Sequence, residues 1–349
     1  MKGLGRNVTS TLKGLRNLGT SIDKNKTGEG NLPAPQDGAF IEEANRVEGV
    51  DEYLFDGDII LTEKQLEALE NDVENPIRAK RQIYEFATRW PNNKVYYYFD
   101  ATISAVNRAY VRTVLKYLQA RTCINFIEDA TATNRIRVFN GGGCYSSIGM
   151  IGGEQDLSLG GYCIVVGTVA HEFTHALGSL HMHSRKDRDT FTTEGNSMIP
   201  FNAKYLRTLG SKTITFYDIR MINWFYKCNA KCNGLATTAK CKNAGAPNPR
   251  NCATCICPFG YGGTLCEKRA PKGKTIQIRV TALKNVRCKG GCVTSAIEPK
   301  VLVDKAMTSP RICCPEQLNQ IHASKINPTP VVTYNLQLTS TFTYQFRYV

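Results

Sequence analysis

No stretch of this 349-residue chain is apolar for long enough to cross a membrane as a helix, which takes about 20 residues. The first thirty residues also lack the apolar core of a secretory signal. They are basic instead, with Leu4, Val8, Leu12, Leu15 and Ile22 at loosely helical spacing, a composition that imitates a mitochondrial transit segment. Glycosylation sequons at Asn7 and Asn25 and the cysteine pattern oppose that compartment, so the expectation is an incomplete N-terminus. Acidic residues are few, 30 against 44 Lys and Arg, for a net charge of +14. The basic residues are dispersed, and with disulfide-type cysteines this argues against nucleic acid as a partner; acidic substrates or an anionic matrix fit the charge better. No CxxC pair is followed by a second at zinc-ribbon spacing, which argues against a cytosolic metal-binding role for the cysteines. Histidine is scarce, with five in the chain.

What is present is cysteine, fourteen residues in three even groups. Cys123, Cys144, Cys163 and Cys228 are widely spaced. Cys232, Cys241, Cys252, Cys255, Cys257 and Cys266 are compact, and Cys288, Cys292, Cys313 and Cys314 lie near the end. Even numbers at such spacings predict disulfides and an extracytoplasmic location, with the connectivity left open. The length allows two or three domains.

Three of the five histidines fall in one run, His171-Glu-Phe-Thr-His-Ala-Leu-Gly-Ser-Leu-His181, which reads HExxHxxGxxH. On a helix, His171 and His175 project from one face at metal-ligand spacing. Gly178 can turn the chain back and bring His181 to the same ion. Three protein ligands leave a position for water, the arrangement of a catalytic zinc site. Glu172 is then placed to take a proton from that water.

The run, its continuation His181 to Asp189, and the upstream stretch Gly143 to Cys163 together resemble the astacin family of metzincin peptidases, particularly its nematode members. The resemblance covers most of the chain after residue 50. It implies an α+β catalytic domain over 82–228, a twisted sheet plus the active-site helix, with endopeptidase activity toward extracellular proteins. It implies one zinc ion on His171, His175 and His181, with Glu172 as general base. It also implies the disulfides Cys123–Cys228 and Cys144–Cys163. The cluster at 229–267 resembles an EGF-like module, implying Cys232–Cys252, Cys241–Cys255 and Cys257–Cys266; no acidic cluster suggests calcium there. The β-type runs Thr275–Val280, Pro299–Val303, Val331–Leu338 and Phe342–Val349 resemble part of a CUB sandwich over 268–349. Such modules imply a protein or matrix partner.

Residues 1–81 hold 11 Lys and Arg against 15 Asp and Glu, whereas the rest holds 33 against 15. An acidic segment lying on a basic enzyme suits a propeptide. Phe55-Asp-Gly-Asp58 matches the FxGD motif of the family's proregions, which implies that Asp58 binds zinc in the zymogen. Arg78-Ala-Lys-Arg81 is a dibasic processing signal; cleavage after Arg81 starts the mature chain at Gln82.

Within the catalytic region, Arg89–Asp100 predicts the first strand and Ile124–Val138 further strands. Ser104–Thr122 predicts a helix with Val106, Tyr110, Val114 and Leu118 in the core, and Thr168 is placed to cap the active-site helix. Arg185 and Asp187-Arg188-Asp189 suggest a salt-bridge network. Three features depart from the family. Met182 stands where an acidic residue holds the mature N-terminus. No SxMHY segment with its Met-turn and Tyr is present, and Met198 aligns downstream of it. Only 147 residues run from Gln82 to Cys228, with the shortfall between Asp189 and Asn196. Two function classes therefore stand: a secreted zinc endopeptidase made as a zymogen, and a secreted interaction protein of weak or no activity.

Overall fold

The computed structural model describes residues 41–74, 87–182, 192–193, 199–210, 213–258, 261, 263–267, 275–324, 329–336 and 339–349. The expectations for Asn7, Asn25, Arg81, Gln82, Arg185, Asp187–Asp189 and Met198 lie outside these residues. The chain forms two compact units, 1–117 with 124–191, and 118–123 with 192–349.

The first unit is built on a six-stranded sheet. Helix α1 (Ile41–Val47) precedes β1 (Ile59–Ile60) and helix α2 (Glu63–Glu74). Then follow β2 (Lys94–Phe99), α3 (Ala105–Arg121), β3 (Asn125–Glu128), β4 (Arg135–Phe139), β5 (Cys144–Ser147), β6 (Glu154–Leu159) and α4 (Val166–Ala176). The sheet order is β1-β5-β6-β4-β2-β3. β6, β4, β2 and β3 run parallel to one another, while β5 is antiparallel to β6 and parallel to β1. β2 alternates buried Val95, Tyr97 and Phe99 with more exposed residues, the pattern of a strand with one covered face.

Helix α4 covers part of that face. Phe173 is fully buried and meets Tyr97 and Phe126 edge-on, at ring separations of 6.1 and 5.8 Å. The indole of Trp90 donates to the Ala176 carbonyl (2.8 Å), and Gly149 N–H donates to the His175 carbonyl (2.9 Å). These bonds occupy carbonyls in the last turn of the helix, which have no partner within it.

Cys144–Cys163 ties β5 to the loop that enters α4, closing a sequence separation of 19. Replacing both by Ser is expected to lower unfolding stability by about 3 kcal/mol, judged from the loop length. Urea denaturation checks this; a loss below about 1 kcal/mol would show that the bridge adds little.

Two sequence expectations for this unit need correction. The buried stripe of α3 includes Val111, Val114, Leu115 and Leu118, while Val106 is 78% exposed and Tyr110 half-buried. Each four-residue step overshoots a full turn by about 40°, so Val106 lies roughly 120° around from Leu118. Thr168 does not cap α4. The N-cap is Val165, and Thr168 is buried inside the first turn with its hydroxyl unpaired among the described residues. Tight bonds from Cys163 N–H to Gly160 and Val165 N–H to Cys163 start the helix before Thr168 is reached.

The second unit holds Cys123–Cys228 and opens with β7 (Thr192–Thr193) and β8 (Ile199–Pro200), a short antiparallel pair. Helix α5 (Phe216–Phe225) follows, started by a Thr215–Asp218 capping box. Next come β9 (Ala246–Asn248) and β10 (Asn251–Ile256), an antiparallel pair among the bridges Cys232–Cys252, Cys241–Cys255 and Cys257–Cys266. The C-terminal part consists of β11 (Ile276–Lys284), β12 (Ser295–Pro299), β13 (His322–Ala323), β14 (Val331–Asn335) and β15 (Thr341–Tyr348). They pair as β13-β11-β15 and β12-β14 around Val280, Ile297 and Ile312. Cys288–Cys314 and Cys292–Cys313 settle the pairing that spacing left open. The strand expected at Pro299–Val303 instead ends at Pro299. The chain turns there, and the Lys300 ammonium bonds Glu298, itself held by Arg311, in a buried ion network.

Candidate metal centre

His171 and His175 sit one turn apart on α4, their ring centroids 4.4 Å apart. The helix ends in a Schellman turn: Gly178 N–H donates to the His175 carbonyl (2.7 Å) and Ser179 N–H to Thr174 (3.1 Å). Gly178 takes φ +105°, a region that favours glycine, and the reversal delivers His181. The Nε2 of His171 lies 2.8 Å from that of His175 and 3.2 Å from that of His181.

The fourth group comes from the N-terminal segment. Phe55 and Ile59 exchange backbone bonds across a turn in which Asp56 and Gly57 have positive φ, and this turn aims Asp58 at the histidines. Asp58 Oδ2 is 3.0 Å from His171 Nε2, and Oδ1 is 3.0 Å from His181 Nε2 and 3.5 Å from His175 Nε2. All four donor atoms lie within 4.8 Å of one another.

The donor chemistry fits a cation. Bare lone pairs at such separations repel, and so do facing N–H groups, so a positive ion at the common point resolves the cluster. A tetrahedral ion with nitrogen ligands at about 2.0–2.1 Å has ligand–ligand edges of roughly 3.3 Å, near the spacings seen. The remaining ring nitrogens are oriented from behind. His175 Nδ1–H donates to the Ser179 carbonyl (2.7 Å), which leaves its Nε2 lone pair for the metal. His181 Nδ1 faces the Asp56 carboxylate at 3.6 Å.

Electrostatics follow from this crowding. Burial would raise the Asp58 carboxyl, but His175, with bonds from His171 and His181, holds it well below the usual range. Burial also opposes the charged form of His181, yet Asp56 and Asp58 outweigh it and lift the imidazole to about 10. Glu172 is the reverse case. It is fully buried, and neither carboxylate oxygen has a hydrogen-bond partner among the described residues. Burial pushes it well above its ordinary value and the Asp58 charge adds to the shift. A buried carboxyl left without a partner contributes nothing to stability, a usual mark of a group kept for chemistry.

Residues 82–194 match the model of the Astacin peptidase family. Zinc metalloproteinase nas-17 of Caenorhabditis elegans is 34% identical over 379 residues, an alignment that takes in 85% of this chain and 86% of the relative. This chain belongs to the astacin family. Two further C. elegans relatives are zinc metalloproteinase nas-32 (33% identical, 88% of this chain and 60% of that protein) and nas-31 (31%, 100% and 74%). The family is one of zinc metalloendopeptidases, and the three histidines with Asp58 form a site for one zinc ion. No helix among the described residues is long and apolar enough to cross a membrane.

The structure thus brings together His171, His175, His181 and Asp58, buries Glu172 next to His171 on α4, and pairs the ten cysteines named for the catalytic and EGF-like regions. Sequence reasoning missed Asp56, the Ser179 carbonyl and two carboxamides, Asn45 and Gln65. Asn45 binds Cys144 across 99 residues and Gln65 binds Ile148 across 83, and no local pattern signals either contact.

Proposed function

We propose that the chain is a secreted zinc endopeptidase, made as a zymogen, that hydrolyses extracellular proteins. Glu172 carries this reading: a fully buried carboxyl, unpartnered among the described residues, next in sequence to the first of three converging histidines. His171, His175 and His181 would hold the zinc ion, which would supply Lewis acidity toward a peptide carbonyl and the attacking water. Glu172 accepts the proton of the attacking water at its carboxylate and passes it to the leaving amine. Its raised proton affinity suits both halves of that task. Phe173 and the Schellman turn hold the ligands rigid behind the reacting atoms.

Asp58 is the zymogen lock. It faces the common point of the histidines as a fourth donor, where water would otherwise bind, and the backbone after it pairs with β5 as an added parallel strand, with Ile59 opposite Ser146 and Ile60 opposite Ser147. Cleavage after Arg81 frees a chain beginning at Gln82. In uncleaved protein, Asp58→Ala is expected to raise peptidase activity toward that of the cleaved form. Turnover by Arg81→Ala protein, verified uncleaved by mass, with and without Asp58→Ala, measures this. Full activity in uncleaved Arg81→Ala protein alone would remove the lock.

The boundaries that accompany this reading are a propeptide to residue 81, a catalytic region over 82–228, an EGF-like module over 229–267 and part of a CUB module over 268–349. The three bridges between Cys232 and Cys266 support the EGF-like assignment, and the paired sheets around Ile297 support the CUB one. Their role is contact with protein or matrix partners. The assembled centre favours the enzyme over the inactive interaction protein, which has no use for a buried unpaired Glu172.

A further inference from the structure

The edge of β5 that faces away from β6 is not met by β1 alone. Backbone groups of Cys144 and Ser146 in β5, and of Ile148 just beyond it, are met from this side, two residues apart, as an extended chain allows. Ser146 N–H donates to the Asp58 carbonyl (3.0 Å). The other two positions are taken by side chains. Asn45 Oδ1 accepts from Cys144 N–H (2.6 Å), and Asn45 Nδ2 donates to the Cys144 carbonyl (2.7 Å). The same Nδ2 reaches the Gly57 carbonyl (2.7 Å), inside the turn that carries Asp58. At the far end, Gln65 Nε2 donates to the Ile148 carbonyl (2.8 Å), while its Oε1 caps α2 by accepting from Thr62 N–H (3.0 Å).

A carboxamide has the donor and acceptor of a peptide group. Asn45 therefore acts as a one-residue strand in front of β1, and Gln65 as its continuation. Asn45 is fully buried and every contact it makes here is to backbone. Gly143 stands beside it with φ +69°, and a Cβ there would overlap Asn45 Oδ1, so the fit depends on glycine.

We infer that Asn45, with Gln65 as its distal partner, is the positioning residue that docks the inhibitory segment on β5 and fixes Asp58 at the metal site. The inference rests on the zymogen reading above. Asp58 supplies a metal ligand; the two carboxamides supply register and hold the whole outer edge of β5. Since they bind backbone through neutral groups, docking persists when the metal is removed, and Asp58 alone does not hold the segment in place.

The test uses full-length Arg81→Ala protein, uncleaved, in four forms: the parent, Asn45→Ala, Asn45→Ala with Gln65→Ala, and Asp58→Ala. Peptidase turnover is read together with amide hydrogen exchange at Phe55, Ile59 and Ser146, with and without a zinc chelator. Asn45→Ala is expected to raise turnover and speed exchange at these amides roughly tenfold to a hundredfold, as loss of buried hydrogen bonds implies, and the double variant to go further. The parent keeps its protection under chelation. As a control in protein that keeps Arg81, cleavage there should give equal turnover in Asn45→Ala and wild type, which rules out a misfolded catalytic unit. Unchanged exchange and turnover in Asn45→Ala, alongside release by Asp58→Ala, would overturn the clasp and leave the lock standing. Faster exchange in Asn45→Ala, with no gain of turnover in any variant, would keep the clasp as a docking contact and overturn the lock. Loss of protection in the parent on chelation would overturn the claim that docking is independent of metal.

Discussion

His175→Ala is expected to lose zinc and all measurable turnover. His175 is buried, its Nε2 lies 2.8 Å from that of His171, and its Nδ1 is fixed by the Ser179 carbonyl. Removing it leaves two histidines of the triad and unpairs a carbonyl beside the helix end. Changes behind the ligands commonly cost about 10–100-fold in metal affinity, and loss of a ligand costs more. Zinc content after dialysis against a weak chelator, measured beside wild type, gives the result. His175→Ala protein that keeps one zinc per chain would show that the ligand set is wrong. Chelation of wild-type protein should reproduce the loss, and added zinc should reverse it in wild type only.

Glu172→Gln is expected to keep zinc and lose roughly 10²–10⁴-fold in kcat, the range for removing a positioned general base. Glutamine fills the same space and cannot accept the proton. The folded protein should be at least as stable as wild type, because the substitution removes a buried carboxyl that has no partner and is disfavoured by Asp58. The combination of retained zinc, unchanged or higher Tm and collapsed kcat separates a catalytic role from a structural one. Turnover within about threefold of wild type, against the range expected for a general base, would exclude Glu172 as the base.

These two results concern residues that were legible in the sequence, because their geometry is local. HExxHxxGxxH is written over one helix and one glycine turn, so spacing alone fixes which side chains meet. Asp58 was legible only through the FDGD resemblance, since its distance in sequence from His171 is 113 residues. Asn45 and Gln65 were not legible at all. Their partners are backbone atoms of β5 and its continuation, which any sequence would supply; Asn45 stands in no motif, and the Thr62–Gln65 capping box signals a helix start, not the contact with Ile148. The errors have local causes as well. Val106 matched a four-residue spacing that drifts off the buried face, and Thr168 looked like a cap because the turn after Gly160 could not be seen. Past Pro299 the chain was apolar enough for a strand, but a buried Glu298–Lys300 pair turned it away.

The stability of the two halves of the proposed lock differs in kind. Asp58 costs burial of a carboxylate, which the imidazoles and a metal offset. The carboxamide contacts are neutral and bury no charge. Val50, Leu54, Phe139 and Tyr145 add a small apolar cluster where the N-terminal segment meets β4 and β5. In the proposed zymogen, cleavage after Arg81 would break none of these contacts directly, so release of the segment would follow as a separate event.

The most direct measurement compares zinc content and hydrolysis of a denatured protein substrate before and after cleavage between Arg81 and Gln82. One zinc per chain in both states, with turnover confined to the cleaved protein and absent from its Glu172→Gln form, is the predicted result. Cleaved protein that carries zinc and hydrolyses nothing, or uncleaved protein with full turnover, would contradict the proposal of a zinc peptidase locked by Asp58.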